Sequence, residues 1–324
     1  MRRFIVQISL FLALLLGLAA GLATVCLAFP ARFLPDDDYN MAWLDKVRRL
    51  EATCGAPQRL ILIGGSNLAF SLDSERLARE AGWTVVNLGL NAGLGLGYAL
   101  ATAEPYVRDG DVVVLVPEYG QFADWDGDFN RIAITIDVQK QPASALYRRG
   151  MYGLPDQLAE YVKWKSFNLF RRKTVFTDAT LRRSGFNRLG DYVGHLGKPS
   201  PGFEVARAKD VARLDPAIFR ALSRYVAAIK TRHPQASFLV SYPSFEARSF
   251  DNQRAWIEAV ARELARLDVD VVSAPEDYRF EAELFYDSAY HLNAEGRRLR
   301  TERLLRDLAK WQAGRRAGLP ADGP

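Results

Sequence analysis

Short runs of apolar residues alternate with amphipathic segments along most of this chain. Continuous apolar runs predict strands buried on both faces, and apolar positions three to four residues apart predict helices. The predicted strands are Arg59–Ile63, Thr84–Leu88, Asp111–Val116, Ser237–Ser241 and Val269–Val272. The predicted helices are one capped by Asp73 and ended by Gly82, then Leu94–Val107, Pro216–Thr231, Asn252–Leu267 and Asn293 to about Ala313. We therefore expect an α/β fold, a three-layer α/β/α domain of flavodoxin-like type with a parallel sheet of about five strands.

The N-terminus has a different pattern, in which two arginines precede an apolar run over Phe4–Phe29. About 26 helical residues reach roughly 39 Å, more than the roughly 30 Å hydrocarbon core of a membrane and longer than most cleaved signal sequences require. We predict that residues 1–30 form an uncleaved, single-pass signal anchor. The arginines place its start in the cytoplasm and the rest of the chain in the periplasm, at a bacterial inner membrane. Residues 31–58 would form a stalk with a short helix over Tyr39–Glu51.

Composition narrows the kinds of site to expect. The chain has 43 basic and 38 acidic residues, and the resulting charge of +5 alone identifies no partner. One cysteine, Cys26, lies in the predicted anchor and the other, Cys54, beyond it, so no disulfide is expected. No Cys and His cluster has metal-ligand spacing, and we expect no metal and no cofactor. The glycine run over 93–97 follows the second strand and lacks a suitably placed acidic partner, which argues against a dinucleotide site.

The strand–helix rhythm stops between about residues 120 and 214, which we interpret as an insertion in a domain spanning 59–314; residues 315–324 would be a flexible tail. From 139 to 200 there are twelve Lys and Arg against four Asp and Glu. Aromatic residues recur here, among them Tyr161, Trp164, Phe167 and Phe170. They could form the insertion's own core, a surface for sugars or acidic polymers, or an interfacial helix at the membrane, and of the last two we favour the membrane. Nucleic acid is not an expected partner outside the cytoplasm.

Two segments far apart in the chain carry the candidate chemistry. The first strand runs into Gly64-Gly65-Ser66-Asn67, which puts Ser66 at the carboxyl edge of the sheet, where open α/β sheets bind ligands. Near the other end, Asp287 precedes His291 by four residues, just before a helix. A carboxylate that orients an imidazole is typical of a general base. Taken singly, Gly-Gly-Ser is also common turn chemistry, and a loop histidine can be purely structural.

Together these segments resemble the SGNH, or GDSL-like, hydrolase superfamily over about Arg59 to Ala313, the insertion excepted. Residues 64–67 are similar to its first block, and Asn87-Leu88-Gly89 is similar to its glycine block. Asp287 and His291 are similar to its last block, and the branch resembled is the membrane-anchored one of bacterial exopolysaccharide O-acetylation loci. The resemblance implies Ser66 as nucleophile, His291 as base, Asp287 as its orienting carboxylate, and backbone N–H groups of Ser66 and Gly89 as oxyanion donors.

The chain departs from the family pattern in two places. Three residues rather than two separate the last Asp and His, so Asp277 and Glu276 remain possible orienting carboxylates. After the third strand the family has an asparagine that donates to the oxyanion, whereas this chain reads Val-Pro-Glu-Tyr-Gly-Gln over 116–121. Asn91 or Gln121 could replace it, and Asn67 is a further binding candidate. Loss of one oxyanion donor costs about 2.7–4 kcal/mol of transition-state stabilisation, so an inactive relative is also compatible with the sequence.

The resemblance implies acyl transfer through a covalent intermediate on Ser66. Water as the second acceptor would make an esterase, and a sugar hydroxyl would make an O-acyltransferase. The expected substrate is an O-acetyl group of cell-envelope or secreted polysaccharide. A rival interpretation, motivated by the missing asparagine, is a non-catalytic accessory protein that binds polymer or docks to a membrane-bound acyltransferase. A lipid esterase that uses the basic, aromatic region to reach the bilayer is a third.

Overall fold

The computed structural model describes residues 2–28, 36–128 and 181–318, together with Ile132, Thr135 and Lys163. Its helices are α1 (Arg2–Ala28), α2 (Ala42–Ala52), α3 (Ser66–Ser71), α4 (Ser74–Ala81), α5 (Leu96–Ala103), α6 (Pro216–Arg232), α7 (Ala247–Asn252), α8 (Arg254–Leu264) and α9 (Ala294–Gly318). Its strands are β1 (Arg59–Gly64), β2 (Thr84–Asn87), β3 (Val112–Val116), β4 (Ser237–Val240), β5 (Phe245–Glu246), β6 (Asp270–Val271) and β7 (Arg279–Phe280).

Five of the strands form one parallel sheet in the order β2-β1-β3-β4-β6. Each of the five apolar runs predicted to be strands lies in this sheet, so an α/β fold with a parallel five-stranded sheet is confirmed. The chain moves from β1 outward to β2 and then crosses back to β3 on the other side of β1. Connections that diverge in this way leave a crevice at the carboxyl edge between the two central strands. Gly64 pairs with Val116 in the register, so the chain leaves β1 and β3 at the same level.

Alternate residues of the strands enter two separate hydrophobic clusters, because successive side chains of a strand point to opposite faces. One cluster includes Ile61, Ile63, Val86, Val113, Leu115, Phe238 and Val240. The other includes Leu60, Leu62, Val85, Val112, Val114, Val116 and Leu239, and α9 adds Leu304 and Leu308. All the strand residues of both clusters are buried. Burial on both faces explains why β1, β2, β3 and β4 read as continuous apolar runs rather than as alternating ones.

Several element boundaries differ from those predicted. The predicted helix over Leu94–Val107 is only α5, because Pro105 has no backbone N–H to continue an α-helical ladder and a 3₁₀ turn replaces the last turn. The predicted helix over Asn252–Leu267 is only α8, and the separate short helix α7 ends at Asn252 just before it. The short helix α3 and the two-stranded parallel pair β5–β7 were not predicted. Asp73 caps α4 by accepting a hydrogen bond from Arg76 N, and Gly82 ends that helix with φ of +70°, as predicted.

Parts of the predicted stalk and insertion pack against the sheet domain. In the segment predicted as a stalk, Trp43 and Leu50 of α2 are fully buried, and Arg49 Nε donates to Val85 O of β2 at 2.8 Å. At the end of the predicted insertion, the buried carboxylate of Asp191 accepts hydrogen bonds from four side chains, namely Ser74, Asn87, Asn187 and Arg297. The predicted aromatic series at Tyr161, Trp164, Phe167 and Phe170 lies outside the described residues.

The helix α1 is separate from this packing. Its segment Arg3–Leu22 has a mean hydropathy of 2.4, and none of it is buried. By length and composition it can cross a membrane, a property that signal sequences near an N-terminus share.

Candidate active site

Ser66 lies where β1 ends and α3 begins. A Cβ added at Gly64 would lie 2.2 Å from Val116 O, so the absence of a side chain lets β1 and β3 approach closely here. A Cβ at Gly89, after β2, would lie 2.4 Å from Leu68 Cβ of α3. Gly64 and Gly89 therefore allow α3 to pack closely against the carboxyl edge of the sheet. Ser66, the first residue of α3, remains partly exposed at that edge.

The segment that carries His291 is a closed loop before α9. Phe285 and Leu292 form an isolated antiparallel bridge, and Tyr286 N donates to His291 O at 2.8 Å. Ser71 of α3 attaches the loop to the serine side of the site: its hydroxyl donates to Tyr290 O at 2.9 Å and accepts from Leu292 N at 3.1 Å. Residues more than 200 positions apart are thus joined by direct hydrogen bonds.

Asp287, His291 and Ser66 form a continuous chain of contacts. Asp287 Oδ1 lies 2.6 Å from His291 Nδ1, and His291 Nε2 lies 2.8 Å from Ser66 Oγ. The ring of Phe70 stacks on the imidazole with centroids 3.9 Å apart and planes 7° apart, which fixes the ring orientation. The imidazole side chain is 13% exposed and the carboxylate 26%, so the site is half-closed to water. This is the arrangement of a nucleophile, its base and the group that orients the base.

The other two carboxylates considered as orienting groups have different partners. Asp277 Oδ2 accepts from Ala274 N at 2.8 Å, in a 3₁₀ turn before β7. Glu276 Oε1 lies 3.9 Å from Nη1 of Arg254, the first residue of α8. The longer spacing between Asp287 and His291 is accommodated by the loop, in which His291 N donates to Ser288 O and Tyr290 N to Ser288 Oγ.

The residues predicted to bind the oxyanion have mostly internal partners. Gly89 N donates to Asn87 Oδ1 at 2.9 Å, and Asn91 Oδ1 accepts from Gly93 N at 2.8 Å. The buried amide of Asn67 donates to Val116 O at 3.1 Å. Gln121 Oε1 accepts from Glu118 N at 2.9 Å, and its amide nitrogen lies 3.4 Å from Ala92 O. Asn67 differs from these residues in one respect: its backbone N–H donates to a side chain that also contacts Ser66.

That side chain belongs to Glu118, a residue that the sequence interpretation did not select. Glu118 Oε1 accepts hydrogen bonds from Ser66 Oγ at 3.0 Å and from Asn67 N at 2.9 Å. The residue is 7% exposed, and a Cβ at Gly65 would lie 2.4 Å from the same oxygen. A usable signal was present in the sequence. Glu118 stands two residues after β3 as Ser66 stands two residues after β1, and neighbouring parallel strands end at the same edge.

A second histidine, His195, packs against the residues that hold His291 in place. His195 Nε2 lies 2.9 Å from Leu292 O, and its ring lies 4.9 Å from Phe70 and 5.8 Å from Tyr192, centroid to centroid. Burial lowers the pKa of His195 to about 4, and the neighbouring His291 acts in the same direction. The neutral ring therefore packs behind Phe70 and holds the carbonyl next to His291. Nothing in the sequence pattern distinguished this role, since His195 stands in a glycine-flanked loop.

The glycine run over 93–97 serves a packing role. Gly97 N donates to Trp125 O at 3.2 Å, and a Cβ there would lie 2.4 Å from the indole nitrogen of Trp125. Gly95 has φ of +73°, and a Cβ there would lie 2.6 Å from the Asp126 backbone. The run thus lets the loop after β3 pack against the loop after β2.

Within the described ranges, no group of three or more His, Cys, Asp or Glu side chains could hold a metal ion. Comparison with protein-family models, with curated proteins and with solved structures found no match to this chain.

Proposed function

We propose that this protein is a serine esterase or O-acyltransferase of the SGNH type, anchored in a bacterial inner membrane with its catalytic domain in the periplasm. It would act on O-acetyl groups of cell-envelope or secreted polysaccharide. The proposal rests above all on the contact chain from Asp287 through His291 to Ser66, with distances of 2.6 and 2.8 Å. The strand order, with helices packed on both faces of the sheet, fits the three-layer fold that this family would have.

The chemistry would proceed through an acyl-enzyme. Ser66 Oγ attacks the ester carbonyl while His291 Nε2 takes its proton, and Asp287 stabilises the imidazolium that forms. Collapse of the tetrahedral intermediate expels the alcohol, which receives the proton from His291. Water or a sugar hydroxyl then attacks the acyl-enzyme by the same route in reverse. The backbone N–H of Asn67, which donates to Glu118 Oε1 in this structure, would be a donor to the negative oxygen.

The N-terminal segment supports the proposed location. The segment Arg3–Leu22 of α1 is unburied, and Arg2 and Arg3 precede the apolar run. Because positive residues favour the cytoplasmic side of a membrane, this anchor would have its N-terminus in the cytoplasm and the sheet domain outside it. Bacterial envelope polysaccharides bearing acetyl esters would be accessible there, and the short connection through α2 would keep the domain close to the bilayer.

A second candidate is a non-catalytic accessory protein that binds polymer or docks to a membrane-bound acyltransferase. One observation favours it: an acidic side chain, Glu118, stands beside Ser66 where an esterase needs hydrogen-bond donors. An ionised carboxylate there would repel the oxyanion that acyl transfer creates.

Acetyl-ester turnover and fluorophosphonate labelling of the full chain in detergent distinguish the two candidates. We expect the wild-type chain to hydrolyse an aryl acetate and to be labelled on Ser66, and Ser66→Ala to lose both activities. Ser273→Ala is the matched control. Ser273 follows β6 and contacts Ser241, which follows β4, so it lies outside the contact chain of Asp287, His291 and Ser66. Equal turnover by wild type and Ser66→Ala would exclude Ser66 as nucleophile, and absence of labelling with intact polymer binding would favour the accessory protein.

A further inference from the structure

The contact between Glu118 and Ser66 has a consequence for the proton on the serine. Ser66 Oγ carries a single proton, and two acceptors lie within reach, His291 Nε2 at 2.8 Å and Glu118 Oε1 at 3.0 Å. When the proton points to Glu118, the contact with Nε2 is a hydrogen bond only if Nε2 itself is protonated. Since Nδ1 faces the carboxylate of Asp287, both ring nitrogens then donate, and Nε2 has no lone pair with which to accept a proton. In this arrangement His291 cannot act as the base for Ser66.

The same carboxylate also occupies the space in which a reacting oxygen would lie. Glu118 Oε1 takes the N–H of Asn67 at 2.9 Å, so the backbone donor beside the nucleophile is already engaged. An ester carbonyl placed against Ser66 would have to share that donor with a negative oxygen. Its developing charge would meet repulsion instead of stabilisation.

Two neighbouring residues, Gly65 and Gln121, accommodate Glu118 in this position. Gly65 provides the space, because a Cβ would lie 2.4 Å from Oε1 and 2.8 Å from Cδ of Glu118. Gln121 Oε1 accepts from the backbone N–H of Glu118 at 2.9 Å, which fixes the backbone at this position. The contact therefore depends on a cluster of residues from two neighbouring strand ends.

A partner for the displaced carboxylate lies nearby. Lys209 is half-buried, with Nζ 5.3 Å from the centroid of the Trp256 ring, and the described part of the chain provides no carboxylate in ion-pair contact with it. Burial lowers the pKa of Lys209, and the charge of Glu118 partly opposes that shift. A Glu118 side chain that turned away from Ser66 would thus move within the field of a cation.

We infer that Glu118 is a gate on the nucleophile: its carboxylate closes the site by binding Ser66 and Asn67 N, and acyl transfer requires it to move away. This inference rests on the proposed function and adds to it a closed resting state. It assigns Glu118 a regulatory role through Ser66, in place of a role in the chemical step.

The test is the rate at which a fluorophosphonate modifies Ser66 in the full chain in detergent. The phosphoryl oxygen of this probe occupies the oxyanion position, so a closed gate slows its reaction. We expect Glu118→Gln and Glu118→Ala to react at least about tenfold faster than wild type, since even one oxyanion donor is worth more than this factor. Glu258→Gln, which removes an exposed carboxylate on α8, should react at the wild-type rate.

The outcomes separate the gate from the proposed function. Faster labelling of both Glu118 variants, at unchanged thermal stability, supports the gate. Labelling of wild type at a rate equal to or above that of the variants overturns the gate and leaves the esterase proposal in place. If wild type and both Glu118 variants stay as unlabelled as Ser66→Ala, both the gate and the proposed function are overturned.

Discussion

At the scale of single residues, the candidate chemistry depends on which carboxylate orients His291. Three acidic side chains were possible from the sequence, and only Asp287 lies within hydrogen-bond distance of the ring, at 2.6 Å from Nδ1. A carboxylate in this position selects the imidazole tautomer that leaves Nε2 free to act as a base. Removal of its charge should therefore affect catalysis far more than folding, because the side chain of Asp287 is partly exposed.

We predict that Asp287→Asn lowers kcat by about three to four orders of magnitude, as expected when the orienting group of such a triad is replaced by an amide. The measurement is turnover of an aryl acetate at saturating substrate. Asp277→Asn is the control, because that side chain accepts from Ala274 N and has no contact with His291. A loss of activity in Asp277→Asn comparable to that in Asp287→Asn would contradict the assignment.

At the scale of elements, the site depends on how closely α3 approaches the strand ends. The Cα of Gly89 faces Leu68 and the backbone of α3, with no room for a methyl group. Ser71 in the same helix carries the two hydrogen bonds that join it to the His291 loop. A shift of α3 would therefore move Ser66 and strain its link to His291.

Gly89→Ala should accordingly destabilise the fold by about 1–3 kcal/mol through overpacking and reduce turnover as Ser66 moves from His291. Chemical denaturation and turnover of the same preparation measure the two effects. Gly314→Ala is the matched control, since a Cβ in that part of α9 meets no atom within 4 Å and alanine favours helix. Full stability and full activity in Gly89→Ala would show that α3 tolerates displacement.

At the scale of the whole molecule, the protonation of His195 links stability to pH. Burial lowers its pKa to about 4 in the folded chain, while Asp287 opposes and His291 and Arg297 reinforce that shift. The unfolded chain has the ordinary value near 6.5, so between about pH 6.5 and 4 the unfolded state binds the additional proton. This group therefore takes nothing from stability above pH 6.5 and costs progressively more as the pH falls towards 4.

We predict that acidification from pH 6.5 to 4 removes about 3 kcal/mol more from the free energy of unfolding of wild type than from that of His195→Gln. Glutamine can retain a donor towards Leu292 O without titrating. Urea unfolding of the two proteins at several pH values gives the free energy of unfolding as a function of pH. The slopes of these two dependences are then compared. Parallel pH profiles would show that His195 does not titrate as a buried group.

The sequence by itself determined the five strands of the sheet. Burial of β1 to β4 requires continuous apolar runs that the local pattern reveals, whereas the two residues of the edge strand β6 are exposed. It also indicated Ser66, Asp287 and His291, since a strand end, a glycine pair and a helix start are local signals. Tertiary structure alone decided which groups meet: Phe70 against His291, Asp191 among four side chains, and Glu118 on Ser66. These contacts depend on strand order, and strand order follows from the packing of the whole chain.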